Sequence, residues 1–220
     1  MLRSAKLLRW LAPLLFLAGT AAGAQTLVPG SNGPGGDGKT AIATFAGGCF
    51  WCVEEAFDKV PGVIDVVSGF TGGKAANPSY EQVMTKSTGH AEAVQVTYDP
   101  AKVKYDQLVD WFWRNIDPVD ASGQFCDKGS PYRSAIFYHD AEQKKVADDT
   151  KKKLETSGRF KQPIVTEIKP AGAFYLAEDY HQDYHKKNSN RYQFYKYGCG
   201  RAQRLEQIWG KATPPPNLTQ

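Results

Sequence analysis

Ile42, Ala43, Thr44, Phe45 and Ala46 form an apolar run that stops at Gly47-Gly48, and Cys49-Phe50-Trp51-Cys52-Val53-Glu54-Glu55 follows at once. This junction constrains the fold more than any other stretch. The run suits a short buried strand, and the glycine pair permits a tight turn in which backbone N–H groups face a reacting centre. Val53, Ala56, Phe57 and Val60 then recur at helical spacing, with Glu54, Glu55 and Asp58 expected early in that helix, where its dipole favours acids. Cys49 falls at the junction, where a helix N-terminus stabilises a thiolate. Only the thiolate is a strong nucleophile, and at the ordinary thiol pKa of about 8.5 little of it exists at neutral pH. Cys49 is therefore the candidate catalytic atom; the alternative is a buried cysteine beside two core aromatics.

Residues 1–24 differ in kind from the rest: Arg3, Lys6 and Arg9 precede an almost wholly apolar Trp10 to Ala18, and small residues end in Ala22-Gly23-Ala24. This pattern reads as a secretory signal peptide, its core too short for a membrane span, with cleavage before Gln25. Losing those three cations takes 27 basic residues to 24 against 23 acids, so the formal charge falls from +4 to +1. The expected product is periplasmic or secreted, soluble and monomeric. Residues 25–39, rich in glycine, read as a flexible lead, 213–220 with three prolines as a flexible tail, and 40–212 as one catalytic domain. The lysines of Ala141 to Ser157 read as a solvated helix face, and nothing calls for nucleic acid.

Four cysteines in an exported chain allow three complete disulfide pairings. Their uneven placement, Cys49 and Cys52 close together with Cys126 and Cys199 far off, favours redox chemistry over structural staples.

Further along, Val63 to Phe70 reads as a strand and Ser79 as the cap of a short helix, with Gln82 its box partner. Ala91 to Tyr98 alternates, so Glu92 shares a face with Val94, Val96 and Tyr98. A carboxyl in such company has a raised pKa and holds a proton at neutral pH, as a general acid must. A helix over Tyr105 to Ile116, a loop carrying Cys126 and Asp127, strands over Ser134 to Tyr138 and Ile164 to Ile168, and a helix over Phe174 to Lys187 are expected next. In that last helix Glu178, His181 and His185 would share a face and offer zinc ligands, though satisfied histidines on an aromatic face are the commoner case. Cys199, between Gly198 and Gly200, is expected in a mobile loop.

Gly47-Gly48-Cys49-Phe50-Trp51, Tyr80 with Gly89-His90-Ala91-Glu92-Ala93, Asp127 followed by Tyr132-Arg133-Ser134-Ala135-Ile136, and Glu178-Asp179-Tyr180-His181-Gln182 together resemble the A-type peptide methionine sulfoxide reductases over roughly residues 42–210. The resemblance implies reduction of methionine S-sulfoxide, free or in proteins, repair of oxidised exported proteins, no bound cofactor, and a thioredoxin-like dithiol as electron donor. It implies an α+β fold, a two-layer sandwich with a ferredoxin-like plait core. Carried over by position, Cys49 is the nucleophile, Phe50 and Trp51 cage the substrate methyl group, Glu92 delivers the proton, and Tyr80, Asp127 and Tyr132 complete the polar side. A Cys49 sulfenic acid would then condense with a second cysteine. Cys199, with glycines on both sides, is the first choice for that partner and Cys126 the second. Two other classes remain: a thioredoxin-type oxidoreductase built on Cys49-x-x-Cys52, and a structural protein using four cysteines for a metal or permanent disulfides.

Overall fold

The computed structural model describes residues 27–28, 39–212 and 214–216, so the expected signal peptide lies outside the described residues. Among these the chain is a single α+β domain with seven α-helices and a mixed seven-stranded sheet. In chain order the main elements are β1 (Leu27–Val28), β2 (Ala41–Gly47), α1 (Phe50–Asp58), β3 (Val63–Thr71), α2 (Tyr80–Met84), β4 (Ala91–Tyr98) and α3 (Tyr105–Arg114). A small hairpin, β5 (Gly123–Gln124) and β6 (Asp127–Lys128), follows, then β7 (Ser134–Tyr138), α4 (Ala141–Thr156), β8 (Glu167–Pro170), β9 (Phe174–Leu176), α5 (Tyr184–Lys187), α6 (Ser189–Gly198) and α7 (Arg201–Trp209). The sheet order is β1-β9-β3-β4-β2-β7-β8, antiparallel except for the β7–β8 pair. Leu27–Val28, in the expected flexible lead, pairs with β9 at the sheet edge.

Strand alternation sets the layers. Ala43, Phe45, Val94, Val96 and Ile136 point to the face covered by helices, where Phe57, Leu108, Phe112 and Ile116 meet them. Ala46, Ala91, Ala93, Ala135 and Phe137 point to the other face, where small side chains let Phe174 pack close. Hence β4 is buried almost throughout, and Glu92 lies on the helix face, as the alternation of Ala91 to Tyr98 predicts.

The structure corrects four local expectations. Phe174 to Lys187 is not one helix: β9 opens the segment, turns follow, and only Tyr184–Lys187 is helical. Its side chains serve the backbone elsewhere, since Glu178 Oε1 accepts Tyr80 N–H at 2.9 Å and Gln182 accepts Ser68 N–H and donates to Ser68 O, both at 2.8 Å. The strand expected over Ile164 to Ile168 begins at Glu167, because Val165 N–H bonds to Pro118 O instead of joining β7. Glu54 and Glu55 lie beyond the first turn of α1 and are buried against other elements, so the dipole does not explain them. Finally, Cys199 is the residue ending α6, and the tight joint to α7 at Gly200, φ +69°, replaces the expected loop.

Candidate active site

The turn before Cys49 is built for glycine. Gly48 sits at φ +86°, and a Cβ there would lie 2.5 Å from Gln124 Cβ, so any side chain costs both strain and a clash. Gln124 is itself fully buried, accepting Asp117 N–H and donating to Asp117 O, each at 2.8 Å. From below, Arg201 reaches Asn115 O at 2.7 Å and Gly47 O at 3.3 Å. Cys49 caps α1 with backbone angles outside the helix, and its carbonyl accepts the Cys52 and Val53 N–H groups.

Glu92 supplies what Cys49 cannot. Its Oε2 accepts the Phe50 N–H at 2.9 Å, so a carboxyl from β4 closes the open end of α1 beside the thiol. Glu92 is 2% exposed. Burial pushes its pKa well up, against the Phe50 hydrogen bond, and the Asp127 carboxyl adds to the rise. Taking a carboxylate out of water costs several kcal/mol even after relaxation, while one hydrogen bond to it returns about 1.5–3 kcal/mol, so the neutral acid wins.

The thiol of Cys49 is likewise pushed up, first by burial and then by its hydrogen bond to Cys52. The expectation of a resting thiolate at Cys49 is thereby corrected. Cys52 is drawn down, to about 6, by the hydrogen bond from Cys49, with Arg201 and Lys196 assisting against burial. Of the two adjacent thiols, Cys52 is the one held down, because Arg201 and Lys196 lie on its side. Tyr192, fully buried, packs with both cysteines and donates to Glu55 Oε2 at 2.6 Å.

Aromatic rings wall the approach. Phe50 lies 5.0 Å from His181 and 6.5 Å from Tyr80, centroid to centroid, and Trp51 stacks on Tyr184 at 3.8 Å. Trp51 Nε1–H donates to His181 Nδ1 at 3.1 Å. An indole N–H can only donate, so Nδ1 is unprotonated and His181 neutral, consistent with burial lowering it to about 4. The Tyr132 hydroxyl donates to Met84 Sδ at 3.2 Å beside Tyr80, and burial raises both tyrosines, Tyr80 to about 12. Asp127 is reached through Tyr195, whose hydroxyl donates to Asp127 Oδ2 at 2.5 Å and also contacts the Cys49 thiol.

The structure brings Cys49, Phe50, Trp51, Tyr80, Glu92, Asp127 and Tyr132 into one neighbourhood. It joins Cys199 elsewhere: a disulfide links it to Cys126, Cα atoms 4.9 Å apart, while Cys49 and Cys52 are free thiols. Cys199 Sγ nevertheless lies 3.9 Å from Asp127 Oδ2, one side chain removed from Tyr195 and Cys49. The zinc alternative loses its helix, with Glu178 on Tyr80, His181 on Trp51 and His185 Nε2 3.1 Å from Asp58. Among the described residues Cys126, Asp127 and Cys199 form the one tight group of metal-ligating types, and its sulfurs are bonded to each other. Sequence reasoning missed Tyr192, Tyr195 and Arg201. The Tyr192-x-x-Tyr195 spacing was the available signal, but it needed a helix over α6 that the sequence reading did not place.

A family model described as peptide methionine sulfoxide reductase matches residues 41–213. The chain belongs to that family. The peptide methionine sulfoxide reductase MsrA of Bacillus licheniformis is 54% identical over 173 residues, which is 79% of this chain and 96% of the relative. The Bacillus subtilis enzyme of the same name is 54% identical over 172 residues, 78% of this chain and 97% of its own. Among solved structures, methionine sulfoxide reductase A of Corynebacterium diphtheriae superposes with a TM-score of 0.62 at 36% identity, covering 70% of this chain and 77% of that one. Family membership makes the chain an enzyme, a peptide-methionine (S)-S-oxide reductase of the A type, and the buried cysteine, neutral carboxyl and aromatic walls are its candidate active site.

Proposed function

We propose that the chain reduces the S epimer of methionine sulfoxide, free or in polypeptides, at Cys49, with Glu92 as the proton donor. The observation that carries this is the neutral Glu92 carboxyl fixed on the Phe50 N–H beside the Cys49 thiol. A sulfoxide has an apolar methyl end and a strongly accepting oxygen. Phe50 and Trp51 suit the first; Glu92 suits the second, its Oε2 occupied by the Phe50 amide and its proton available to the substrate. Tyr80, Tyr132 and Asp127 complete the polar rim.

Cys49 passes its proton toward Cys52, the thiolate attacks the substrate sulfur, and the sulfoxide oxygen transfers with the Glu92 proton. Methionine leaves and Cys49 becomes a sulfenic acid. Since Cys199 is already bonded to Cys126, the free thiol touching Cys49 is Cys52. We therefore revise the first partner from Cys199 to Cys52, which condenses with the sulfenic acid to give a disulfide and water. Cys126–Cys199, with Cys126 exposed, is the outer pair: a thioredoxin-like dithiol would reduce it by exchange and leave oxidised, and the two thiols released would exchange with Cys49–Cys52, re-forming Cys126–Cys199 and freeing both active-site thiols. The deciding experiment is turnover of each methionine sulfoxide epimer with a dithiol donor; loss of the epimer preference, or thiol exchange outrunning sulfoxide reduction, would overturn the assignment.

Export to the periplasm or beyond, and with it repair of exported proteins, is supported by Arg3, Lys6 and Arg9, the apolar core and Ala22-Gly23-Ala24. N-terminal sequencing of native protein should begin near Gln25, and an intact Met1 would refute it. We also read β2, β3, β4 and β7 as a ferredoxin-like plait, supported by their order β3-β4-β2-β7 with α1 after β2 and α3 after β4.

A further inference from the structure

Phe194 is the most exposed large apolar side chain among the described residues, at 83%, and Tyr197, one turn on along α6, is nearly as exposed. Phe194 lines an open groove of about 500 Å³ with Trp51, Tyr184, Asn190, Arg191 and Tyr195. Two exposed rings on one helix, the first of them at the edge of a groove walled by the half-buried Trp51, Tyr184 and Tyr195, mark a place where something binds. Two of the groove's walls also belong to the active site. Tyr195 touches the Cys49 thiol and Asp127, and Trp51 is fixed by His181 at the mouth of the methyl cage. The groove on Phe194 is therefore continuous with the site at Cys49, and filling both takes residues beyond the oxidised methionine itself. A polypeptide supplies them.

Charge narrows the occupant. Residues 184–205 include Lys186, Lys187, Arg191, Lys196, Arg201 and Arg204 and no acid. Lys186, Lys196 and Arg204 are neutralised in ion pairs, whereas Arg191, in the groove wall, makes none with any described residue. The groove should favour acidic segments over basic ones.

We propose that this groove is a subsite for the polypeptide flanking an oxidised methionine, with Phe194 packing against an apolar neighbour and Arg191 selecting acidic over basic residues. The subsite rests on the reductase reading above. It would favour oxidised methionines in unfolded or mobile segments, whose neighbours are free to lie along α6.

The test uses dithiothreitol as the sole reductant, so no protein donor competes for the surface. kcat/KM is measured for free methionine S-sulfoxide and for short peptides in which the oxidised methionine adjoins Leu or Gly, and Asp or Lys. Phe194→Ser should lower kcat/KM for the Leu peptide about tenfold, the low end of what an apolar contact contributes to discrimination, and leave the free amino acid unchanged. Arg191→Glu should reverse the Asp over Lys preference. Equal losses on peptide and free substrate, or no loss on either, would overturn the subsite. So would a Phe194→Ser defect that is absent with dithiothreitol and appears only in a parallel assay with a thioredoxin-like protein as reductant, which would give the surface to the donor. Wild-type turnover of neither substrate would remove the reductase reading itself, and the subsite with it.

Discussion

Phe50 donates its backbone N–H to Glu92 Oε2 at 2.9 Å, so the carboxyl proposed as proton donor also caps the helix that begins beside Cys49. The hydrogen bond pins that carboxyl to the backbone of the residue next to Cys49, so the helix cap and the proposed acid are one group.

Glu92→Gln keeps an oxygen for the Phe50 amide and removes the acidic proton. Single-turnover release of methionine should slow by about two to four orders of magnitude, with the thermal midpoint little changed. An unaffected burst would take Glu92 out of the acid role.

Cys52 should shape the acid limb of the pH profile. Its thiol is held below that of Cys49, so as a thiolate it is the group placed to accept the Cys49 proton, and protonating it at low pH removes that acceptor. The single-turnover rate should therefore fall as pH drops through about 6. In Cys52→Ser the limb should move to higher pH, because Cys49 then titrates against its own burial. An identical profile in the variant would count against the proton transfer. Oxidation of wild type with one equivalent of substrate, followed by disulfide mapping, should find Cys49 bonded to Cys52; a first bond from Cys49 to Cys199 would make Cys199 the resolving cysteine.

Trp51→Ala removes a wall of the proposed methyl cage and the donor to His181. A loss of about 1–3 kcal/mol in kcat/KM is expected, most of it in KM. Equal kinetics would make Trp51 a packing residue only.

Glu54 is 1% exposed, and burial raises it to about 7. Its folded pKa exceeds its unfolded one, so the folded state binds the extra proton, and stability falls as pH rises from about 4.5 to about 7. Glu54→Gln retains an oxygen for the Asp183 N–H, bonded at 3.1 Å, and has no such titration. Relative to wild type it should gain up to about 3 kcal/mol at pH 8 compared with pH 5. Denaturant melts at the two pH values with the same difference would exclude Glu54 as the source.

What the sequence made legible were features governed by local periodicity. The strand, glycine turn and helix around Cys49 follow from short-range rules, and the alternation of Ala91 to Tyr98 places Glu92 on a buried face before any coordinates exist. Ser79 and Gln82 form the expected capping box. What failed depended on partners distant in the chain. Glu178 and Gln182 fit a helical pattern, yet they satisfy backbone groups near residues 68 and 80, and that demand breaks the helix. Cys126 and Cys199 are 73 residues apart, and no spacing rule pairs them. Tyr195 became visible only when α6 laid it between Cys49 and Asp127.

That disulfide also fastens the last two helices to the hairpin bearing Asp127. A closure of this span removes chain entropy worth about 4 kcal/mol from the unfolded state. If donor electrons enter there, each recharging event cuts a tether, and the enzyme is least resistant to unfolding and proteolysis when it is most able to react. Its durability would then track the oxidant load of its surroundings, greatest where oxidised methionine is abundant and reducing power scarce.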